Sequence, residues 1–216
     1  MNIALFHSSF GVRQGVLDAA DRLRNDGHDV LIVDQYDGRV FDDYAEADRF
    51  VEQLGFPELM RRAVDAVQHL PDGFIAAGFS NGGGMAEYVA TQRHCSGALL
   101  MSGALPVTML GAPGWPRGVP VQIHYMTNDP RRRQEWVDAY IEEIRAADAQ
   151  VELFEYPGNG HLFTDSSLPD EYDAAAAELL WSRALAFCRS ASGSARWADA
   201  PRAGYGRRHG ADTSGR

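Results

Sequence analysis

One serine is enclosed by glycines in the stretch Gly78-Phe-Ser80-Asn-Gly82. The residues before it form a short apolar run typical of a buried strand, and those after it have a helical pattern. A serine at a sharp turn from strand to helix takes a strained backbone conformation that holds its hydroxyl above the sheet edge. The glycines beside it avoid a collision between a Cβ and the neighbouring strand or helix. The pattern predicts that Ser80 is a nucleophile, and the alternative is a glycine-rich turn with an incidental serine.

A serine hydroxyl becomes a good nucleophile only when a base takes its proton and an acid orients that base. With an elbow of this kind, these partners follow the serine in the order acid, then histidine. Asp129 comes directly after one predicted strand, within Tyr125-Met-Thr-Asn-Asp-Pro130. His161 comes after the next, within Pro157-Gly-Asn-Gly-His161. The order and the placement predict Asp129 as the acid and His161 as the base.

Other titratable residues offer alternatives to these assignments. Asp129 could also cap a helix whose first residue is the following proline, a role compatible with catalysis. Asp165 and Asp170 are fallback acids. His124 lies inside a predicted strand and is expected to pack in the core. His7 ends the first strand and could line the cleft, but it precedes the serine and has no nearby acid.

A site for acyl transfer also needs amides that stabilise a tetrahedral oxyanion. The amide of Asn81 lies at the start of the predicted helix, where the helix dipole is positive. A second amide, from Ser9 or Phe10, is expected in the loop His7-Ser-Ser-Phe-Gly11. In a flavodoxin-like protein this loop would instead cradle a flavin phosphate. Its single glycine and the presence of the elbow favour the oxyanion role.

Six short apolar runs predict the strands that position these residues. They are Asn2–Phe6, Asp29–Val33, Gly73–Gly78, Ala98–Ser102, Val119–Met126 and Val151–Tyr156. Apolar residues at spacings of three and four predict helices between them. This alternation is typical of an α/β domain with a doubly wound, mostly parallel sheet and helices on both faces. Residues 1–190 are predicted to form that domain, and the polar residues 191–216 a disordered C-terminal tail.

The charge, the cysteine content and the lack of long apolar segments argue against several kinds of partner and binding site. The 216 residues carry a formal net charge of -10, and all 20 basic residues are arginine, which disfavours a nucleic-acid partner. Two cysteines, Cys95 and Cys188, make no disulfide framework and suit a reducing compartment. Without a signal peptide or a bilayer-spanning run, a cytoplasmic protein with no membrane partner is expected. The histidines and cysteines lack close ligand spacing, so no metal site is predicted, and no cofactor is indicated.

These motifs and their order resemble the dienelactone hydrolase family of α/β-hydrolases, particularly short bacterial members with a serine nucleophile. The resemblance covers residues 2–189. It rests on Phe10-Gly11, Asp34-Gln-Tyr-Asp-Gly-Arg39, the serine elbow, Asn128-Asp-Pro130 and Tyr156-Pro-Gly-Asn-Gly-His-Leu-Phe163. It implies that Ser80 is the nucleophile, Asp129 the acid and His161 the base, with the amides of Asn81 and Ser9 as the oxyanion hole. It also implies a sheet in which strand one lies between strands two and three.

The sequence departs from the family pattern at three points. Dienelactone hydrolase itself uses a cysteine nucleophile, where this chain has Ser80. The family's glutamate before the oxyanion loop is Ser8 here. Its arginine for the substrate carboxylate has no counterpart in Leu162-Phe-Thr-Asp165. The resemblance therefore implies a fold and a triad, and it leaves the substrate open.

The sequence predicts a serine hydrolase that cleaves a small ester, or a lactone or thioester, through an acyl-enzyme. Its alternatives are a non-catalytic homologue that binds a small ligand, and an acyltransferase using the same triad. Arg39 and Arg131–Arg133 could attract an anionic substrate, although the sequence favours a solvated helix start for the three consecutive arginines. The sequence does not specify an oligomeric state. The predicted pocket walls, for which core packing is the alternative, are Phe10, Tyr36, Met101, Trp115 and Phe163.

Overall fold

Six parallel strands form a single sheet in the computed structural model, which describes residues 1–192. The order across the sheet is β2-β1-β3-β4-β5-β6, and every neighbouring pair is parallel. The predicted position of strand one between strands two and three is confirmed. The strands are β1 (Asn2–Phe6), β2 (Asp29–Val33), β3 (Phe74–Phe79), β4 (Cys95–Met101), β5 (Val121–Met126) and β6 (Val151–Tyr156).

Helices cover both faces of this sheet, as predicted. They are α1 (Gln14–Asn25), α2 (Tyr44–Leu54), α3 (Phe56–Ala66), α4 (Asn81–Gln92), α5 (Gln134–Ala146) and α6 (Ala174–Ser192), with a short 3₁₀ turn at Val107–Leu110. Side chains alternate between the two faces along each strand. In β1, Ala4 and Phe6 pack with residues of α3, α4 and α5, whereas Ile3 and Leu5 pack with residues of α1 and α6. The chain has the α/β-hydrolase fold.

The carboxyl ends of the strands bring the predicted site residues to one edge of the sheet. Ser80 directly follows β3, Asp129 follows β5, and His161 follows β6. Because all strands are parallel, these loops open on the same side, which is where ligand crevices form in such folds.

The last helix, α6, extends past the predicted domain boundary at residue 190. It runs to Ser192, so the first two residues of the predicted tail 191–216 are helical. The rest of that tail, residues 193–216, lies outside the described residues. Within residues 1–192, no helix is both long enough and apolar enough to span a membrane.

Candidate active site

Ser80 occupies the joint between β3 and α4 in a conformation that L-residues rarely adopt. Its φ is 51° and its ψ is -116°. Such a conformation costs about 1–3 kcal/mol and persists only where the surroundings enforce it. Two backbone hydrogen bonds do so here: Ser80 N–H donates to the carbonyl of Met101 at 2.8 Å, and Gly83 N–H donates to the carbonyl of Ser80 at 2.8 Å. The elbow predicted from the sequence is present, with the strain expected of it.

The glycines around Ser80 are required by close contacts between backbones. A Cβ on Gly78 would lie 2.0 Å from the carbonyl oxygen of Gly82. One on Gly82 would lie 2.4 Å from the carbonyl oxygen of His7, and one on Gly83 would lie 2.4 Å from that of Gly103. These distances are far below van der Waals contact, and the obstructing atoms are backbone, so they cannot swing aside.

Ser80, His161 and Asp129 form one continuous chain of hydrogen bonds. His161 Nε2 lies 2.6 Å from Ser80 Oγ, and His161 Nδ1 lies 2.7 and 2.9 Å from the two carboxylate oxygens of Asp129. A carboxylate only accepts, so the imidazole proton is on Nδ1 and Nε2 is left to accept from the serine hydroxyl. The Asp129 side chain is fully buried and that of His161 is 4% exposed. This arrangement can remove the proton of Ser80 and stabilise the imidazolium that results.

Asp129 lies in a turn and caps no helix. Helix α5 begins only at Gln134, with Arg133 as its N-cap residue. The Asp129 carboxylate instead accepts from the backbone N–H of Arg131 at 2.9 Å, which fixes its orientation toward the histidine. The fallback acids do not contact His161: Asp165 accepts from Ser167, and Asp170 is exposed on the surface.

The loop that carries His161 is held by Glu171. Its carboxylate accepts from the backbone N–H of Leu162 at 2.6 Å and from the Tyr44 hydroxyl at 2.9 Å. A Cβ on Gly160 would lie 2.0 Å from the carbonyl oxygen of Glu171, so the turn before the histidine packs directly on this segment. Burial raises the pKa of Tyr44, which keeps its hydroxyl a donor.

The loop after β1 contains the two candidates for the second oxyanion amide, Ser9 N–H and Phe10 N–H. Phe10 N–H donates to the Ser8 hydroxyl at 3.2 Å, and the Phe10 ring is buried 4.3 Å from that of Tyr44. Ser9 lines the cleft beside Ser80 and Asn81. Within residues 1–192, no atom accepts a hydrogen bond from Ser9 N–H. Of the two candidates, the geometry favours Ser9 over Phe10 as the second oxyanion amide.

The cleft above these residues has a volume of about 240 Å³. Its walls are mainly apolar, and two aromatic residues at its mouth, Phe56 and Trp136, are 50% and 38% exposed. Both stand in the first turn of a helix, α3 for Phe56 and α5 for Trp136, and an aromatic residue at a helix start is the signal that could have identified them from the sequence. The lining residues not singled out from the sequence include Asp48, Val51, Phe56, Met85, Leu105, Leu110, Tyr125 and Trp136.

The structure does not bring the predicted pocket walls to the cleft. Phe10, Tyr36, Met101, Trp115 and Phe163 are each at most 6% exposed and belong to the two hydrophobic clusters. Their partners explain this burial. The Tyr36 ring packs 4.4 Å from His7, the Trp115 indole N–H donates to the carbonyl of Val119 at 2.8 Å, and the Phe163 ring packs 5.4 Å from Tyr156. Core packing, the alternative considered for them, describes their positions.

The three consecutive arginines precede α5 and have different surroundings. Arg131 binds both carboxylate oxygens of Asp48 at 2.9 Å and lies over the Tyr44 ring at 4.4 Å. Arg132 pairs with Glu155 at 2.7 Å. Arg133 lines the cleft and, within residues 1–192, has no carboxylate partner. Arg39 lies over the Phe50 ring at 5.2 Å and does not line the cleft.

His124 is a packed core residue, as expected. Its ring stacks on Phe154 and Tyr156, and its nitrogens lie 2.8 Å from the Tyr156 hydroxyl and 2.9 Å from Gln122 Oε1. Burial lowers the pKa of His124 to about 3. Within residues 1–192, no cluster of three or more His, Cys, Asp or Glu side chains could hold a metal ion.

A buried carboxyl group hydrogen-bonds the segment that forms one wall of the cleft. Glu87, on α4, is fully buried and accepts from the backbone N–H of Leu105 at 3.2 Å. Glu143, on α5, accepts from the backbone N–H of Val107 at 2.7 Å. The side chains of Glu87 and Glu143 fix the segment after β4 that lines the cleft. Burial raises the pKa of Glu87 well above its usual value.

Glu87 is therefore expected to make stability fall with rising pH. The folded protein holds the Glu87 proton more tightly than the unfolded chain, so above the ordinary pKa of 4.5 the unfolded state gains by ionising. Glu87→Gln removes this titration and retains an oxygen for Leu105 N–H. Its free energy of unfolding should match that of the wild type near about pH 4 and exceed it near about pH 8, as measured by urea denaturation at both pH values. A difference independent of pH would contradict this assignment.

The sequence matches a family model described as the dienelactone hydrolase family over residues 2–192. The chain belongs to the dienelactone hydrolase family. It is therefore a hydrolase, and the resemblance stated from its motifs is confirmed. No curated protein sequence matches it significantly.

Solved structures with the same fold include other proteins of dienelactone hydrolase type. A promiscuous phosphotriesterase from metagenomic libraries, described as dienelactone hydrolase-like, superposes with a TM-score of 0.76 at 23% identity, over 87% of this chain and 85% of its own. A putative dienelactone hydrolase from Klebsiella pneumoniae gives 0.70 at 22% identity, over 88% and 86%. Esterase 2 of Thermogutta terrifontis, phosphonylated by cyclosarin, gives 0.60 at 18% identity, over 86% and 81%. At these sequence identities, the structural similarity supports the fold assigned to this chain.

Proposed function

We propose that this member of the dienelactone hydrolase family is a serine hydrolase that cleaves a small ester, lactone or thioester. Ser80 is its nucleophile, His161 its base and Asp129 its acid. One observation carries the proposal: the hydrogen-bond chain from Ser80 Oγ through His161 to Asp129, with links of 2.6 and 2.7 Å, opens on a cleft at the carboxyl edge of the sheet.

In the acylation step, His161 Nε2 takes the hydroxyl proton as Ser80 Oγ bonds to the substrate carbonyl carbon. The resulting oxyanion accepts from the backbone N–H groups of Asn81 and Ser9, which supply charge stabilisation without reorganisation. The intermediate then collapses, and the leaving alcohol takes the proton from His161. Asp129 remains ionised and holds the imidazole in the required tautomer.

In the deacylation step, water replaces the alcohol. His161 takes a proton from the water molecule as the water oxygen attacks the acyl carbon of the Ser80 ester. The second oxyanion uses the same two amides, and its collapse returns the proton to Ser80. The net reaction is hydrolysis of one ester bond, and no cofactor or metal is proposed.

The cleft supports a small substrate with an apolar acyl or alcohol group. A volume of about 240 Å³ restricts its size, and the apolar walls favour a hydrocarbon portion. Two of the similar structures are named as an esterase and a promiscuous phosphotriesterase, which is compatible with attack by a serine on an ester carbonyl or phosphoryl centre. A cytoplasmic location without nucleic-acid or membrane partners is part of the proposal: the acidic net charge disfavours a nucleic-acid partner, and a content of only two cysteines suits a reducing compartment.

An acyltransferase would form the same acyl-enzyme and transfer the acyl group to an alcohol or amine. Product analysis of p-nitrophenyl acetate turnover in the presence of added alcohols separates the two reactions. We expect free acetate as the main product, and an acetate ester of the added alcohol as the main product would instead favour the acyltransferase.

Labelling with a fluorophosphonate probe tests the activated serine directly. The probe bonds covalently to serines with a working base, so the substrate need not be known. The wild type is expected to be labelled at Ser80, and Ser80→Ala to remain unlabelled while keeping its circular dichroism spectrum. A folded wild type that does not react would favour the non-catalytic alternative and would overturn the proposal.

A further inference from the structure

His7 follows β1 directly, is almost completely buried, and hydrogen-bonds none of Ser80, His161 and Asp129. Its Nδ1 lies 2.6 Å from the carbonyl oxygen of Ser8, and its Nε2 lies 3.1 Å from the backbone nitrogen of Gln35. A carbonyl only accepts and an amide N–H only donates. The ring must therefore be neutral, with its proton on Nδ1.

The surroundings of His7 maintain this state. Burial lowers the pKa of His7, so the ring is neutral near neutral pH. The nearest carboxylate oxygen is that of Asp34, 4.0 Å from Nε2, and the Tyr36 ring packs edge-on at 4.4 Å. The imidazole thus connects the end of β1 to the end of β2 by one donated and one accepted hydrogen bond.

The Ser8 carbonyl that His7 holds belongs to the same peptide group as Ser9 N–H. A second donor, Gly11 N–H, reaches this carbonyl at 3.1 Å, so its direction is fixed by two hydrogen bonds. The peptide is trans, so Ser9 N–H points away from the Ser8 carbonyl. Ser9 lines the cleft with Ser80, and its N–H has no acceptor within residues 1–192.

His7 also contacts the nucleophile helix through its backbone. A Cβ on Gly82 would lie 2.4 Å from the carbonyl oxygen of His7, so the start of α4 rests on this residue. One residue therefore joins the two sources of oxyanion amides: its side chain holds the Ser8–Ser9 peptide, and its main chain supports the turn that presents Asn81.

We propose that His7 is a positioning residue of the oxyanion hole, which holds the Ser8–Ser9 peptide so that Ser9 N–H meets the developing oxyanion. The inference rests on the proposed function, because it assigns a role within that reaction. A hydrogen bond to the carbonyl also polarises the peptide and makes its N–H a stronger donor. Loss of the interaction should lower kcat and leave KM nearly unchanged, since the ground-state ester carries no full charge there.

Two amide substitutions separate the two hydrogen bonds of His7. In Asn, the side-chain NH₂ occupies the place of Nδ1 and can still donate to the Ser8 carbonyl. In Gln, the amide reaches the place of Nε2 instead and leaves the Ser8 carbonyl without its side-chain donor. His7→Asn is therefore the matched control for His7→Gln. Both variants replace the imidazole ring by a side-chain amide, and they differ in which of the two hydrogen bonds the amide can make.

The experiment measures kcat and KM for p-nitrophenyl acetate, with active sites counted by fluorophosphonate labelling. We expect His7→Asn to keep kcat within about threefold of the wild type, and His7→Gln to lose about 10- to 100-fold. Inhibition by 1,1,1-trifluoro-2-butanone, whose hemiketal carries an oxyanion, should weaken by the same factor in His7→Gln. Equal losses in both variants, an unchanged kcat in His7→Gln, or an effect confined to KM would overturn the proposal.

A measurement on the wild type alone avoids any dependence on folding of the variants. The amide proton of Ser9 should shift downfield in ¹H–¹⁵N spectra when the trifluoromethyl ketone binds. If the ketone binds and this proton does not shift, Ser9 is not an oxyanion donor and the role of His7 is overturned, while a Ser80-dependent esterase would still stand. If the wild type shows no turnover that depends on Ser80, the proposed function itself fails.

Discussion

Replacing Ser80 by Ala is expected to reduce kcat/KM for p-nitrophenyl acetate by about 10⁴-fold or more, and adding His161→Ala should cost nothing further. The serine and its base act as one unit, because the hydroxyl attacks only as Nε2, 2.6 Å away, removes its proton. Once either is absent, the other has no function in the reaction. Residual activity would come from the oxyanion amides and from substrate binding alone.

The comparison needs all four proteins: wild type, Ser80→Ala, His161→Ala and the double variant. Each single variant should show nearly the full loss, and the double variant should resemble either single one. Additive losses would mean that the two side chains act independently, and a single variant with wild-type activity would contradict the triad. Thermal denaturation serves as the control for folding, and it matters most for His161→Ala, which removes a buried imidazole and leaves the buried Asp129 carboxylate without that partner.

The positions of the strands along the chain, the elbow and the two later loops could be predicted because each leaves a local signal, whereas the order of the strands in the sheet came from the family resemblance. Buried parallel strands appear as short apolar runs, and Gly78-Phe-Ser-Asn-Gly82 encodes a turn that only glycines permit. Asp129 and His161 are polar residues directly after strands, and the parallel sheet places all such loops at one edge. The site therefore follows from topology and needs no knowledge of side-chain packing.

The pocket walls could not be predicted in the same way. Both faces of this sheet are covered by helices, so an apolar residue near a strand end gives no indication of whether it faces the cleft or a helix. Met101 and Phe163 pack in the core, whereas Trp136 and Phe56 reach the cleft from helix starts. The choice of Ser9 over Phe10 depends on one side chain, the Ser8 hydroxyl, which engages the Phe10 amide at 3.2 Å. Such contacts between neighbouring residues in a loop have no periodic signal.

Gly82→Ala is expected to destabilise the protein by about 3 kcal/mol or more. This is a large loss of stability for the addition of a single methyl group. The added Cβ would lie 2.4 Å from the carbonyl oxygen of His7 and 2.5 Å from that of Phe6. Both obstructing atoms are backbone at the end of a central strand, so relief requires α4 to move away from β1. The same movement would displace Asn81 and the strained Ser80, so activity should fall in parallel with stability.

Gly84→Ala is the matched control, because it adds the same methyl group two residues further along the same helix. Its Cβ would meet only Leu105 Cδ2, at 3.0 Å, which is the end of a flexible side chain. Alanine also favours the helix by up to about 1 kcal/mol over glycine, so Gly84→Ala should be nearly neutral or stabilising. Urea denaturation of both variants measures the difference. Similar free energies of unfolding for Gly82→Ala and Gly84→Ala would contradict the prediction and would show that the glycines serve helix flexibility. A loss confined to Gly82→Ala would show that direct backbone contact between α4 and β1 sets the geometry of the elbow.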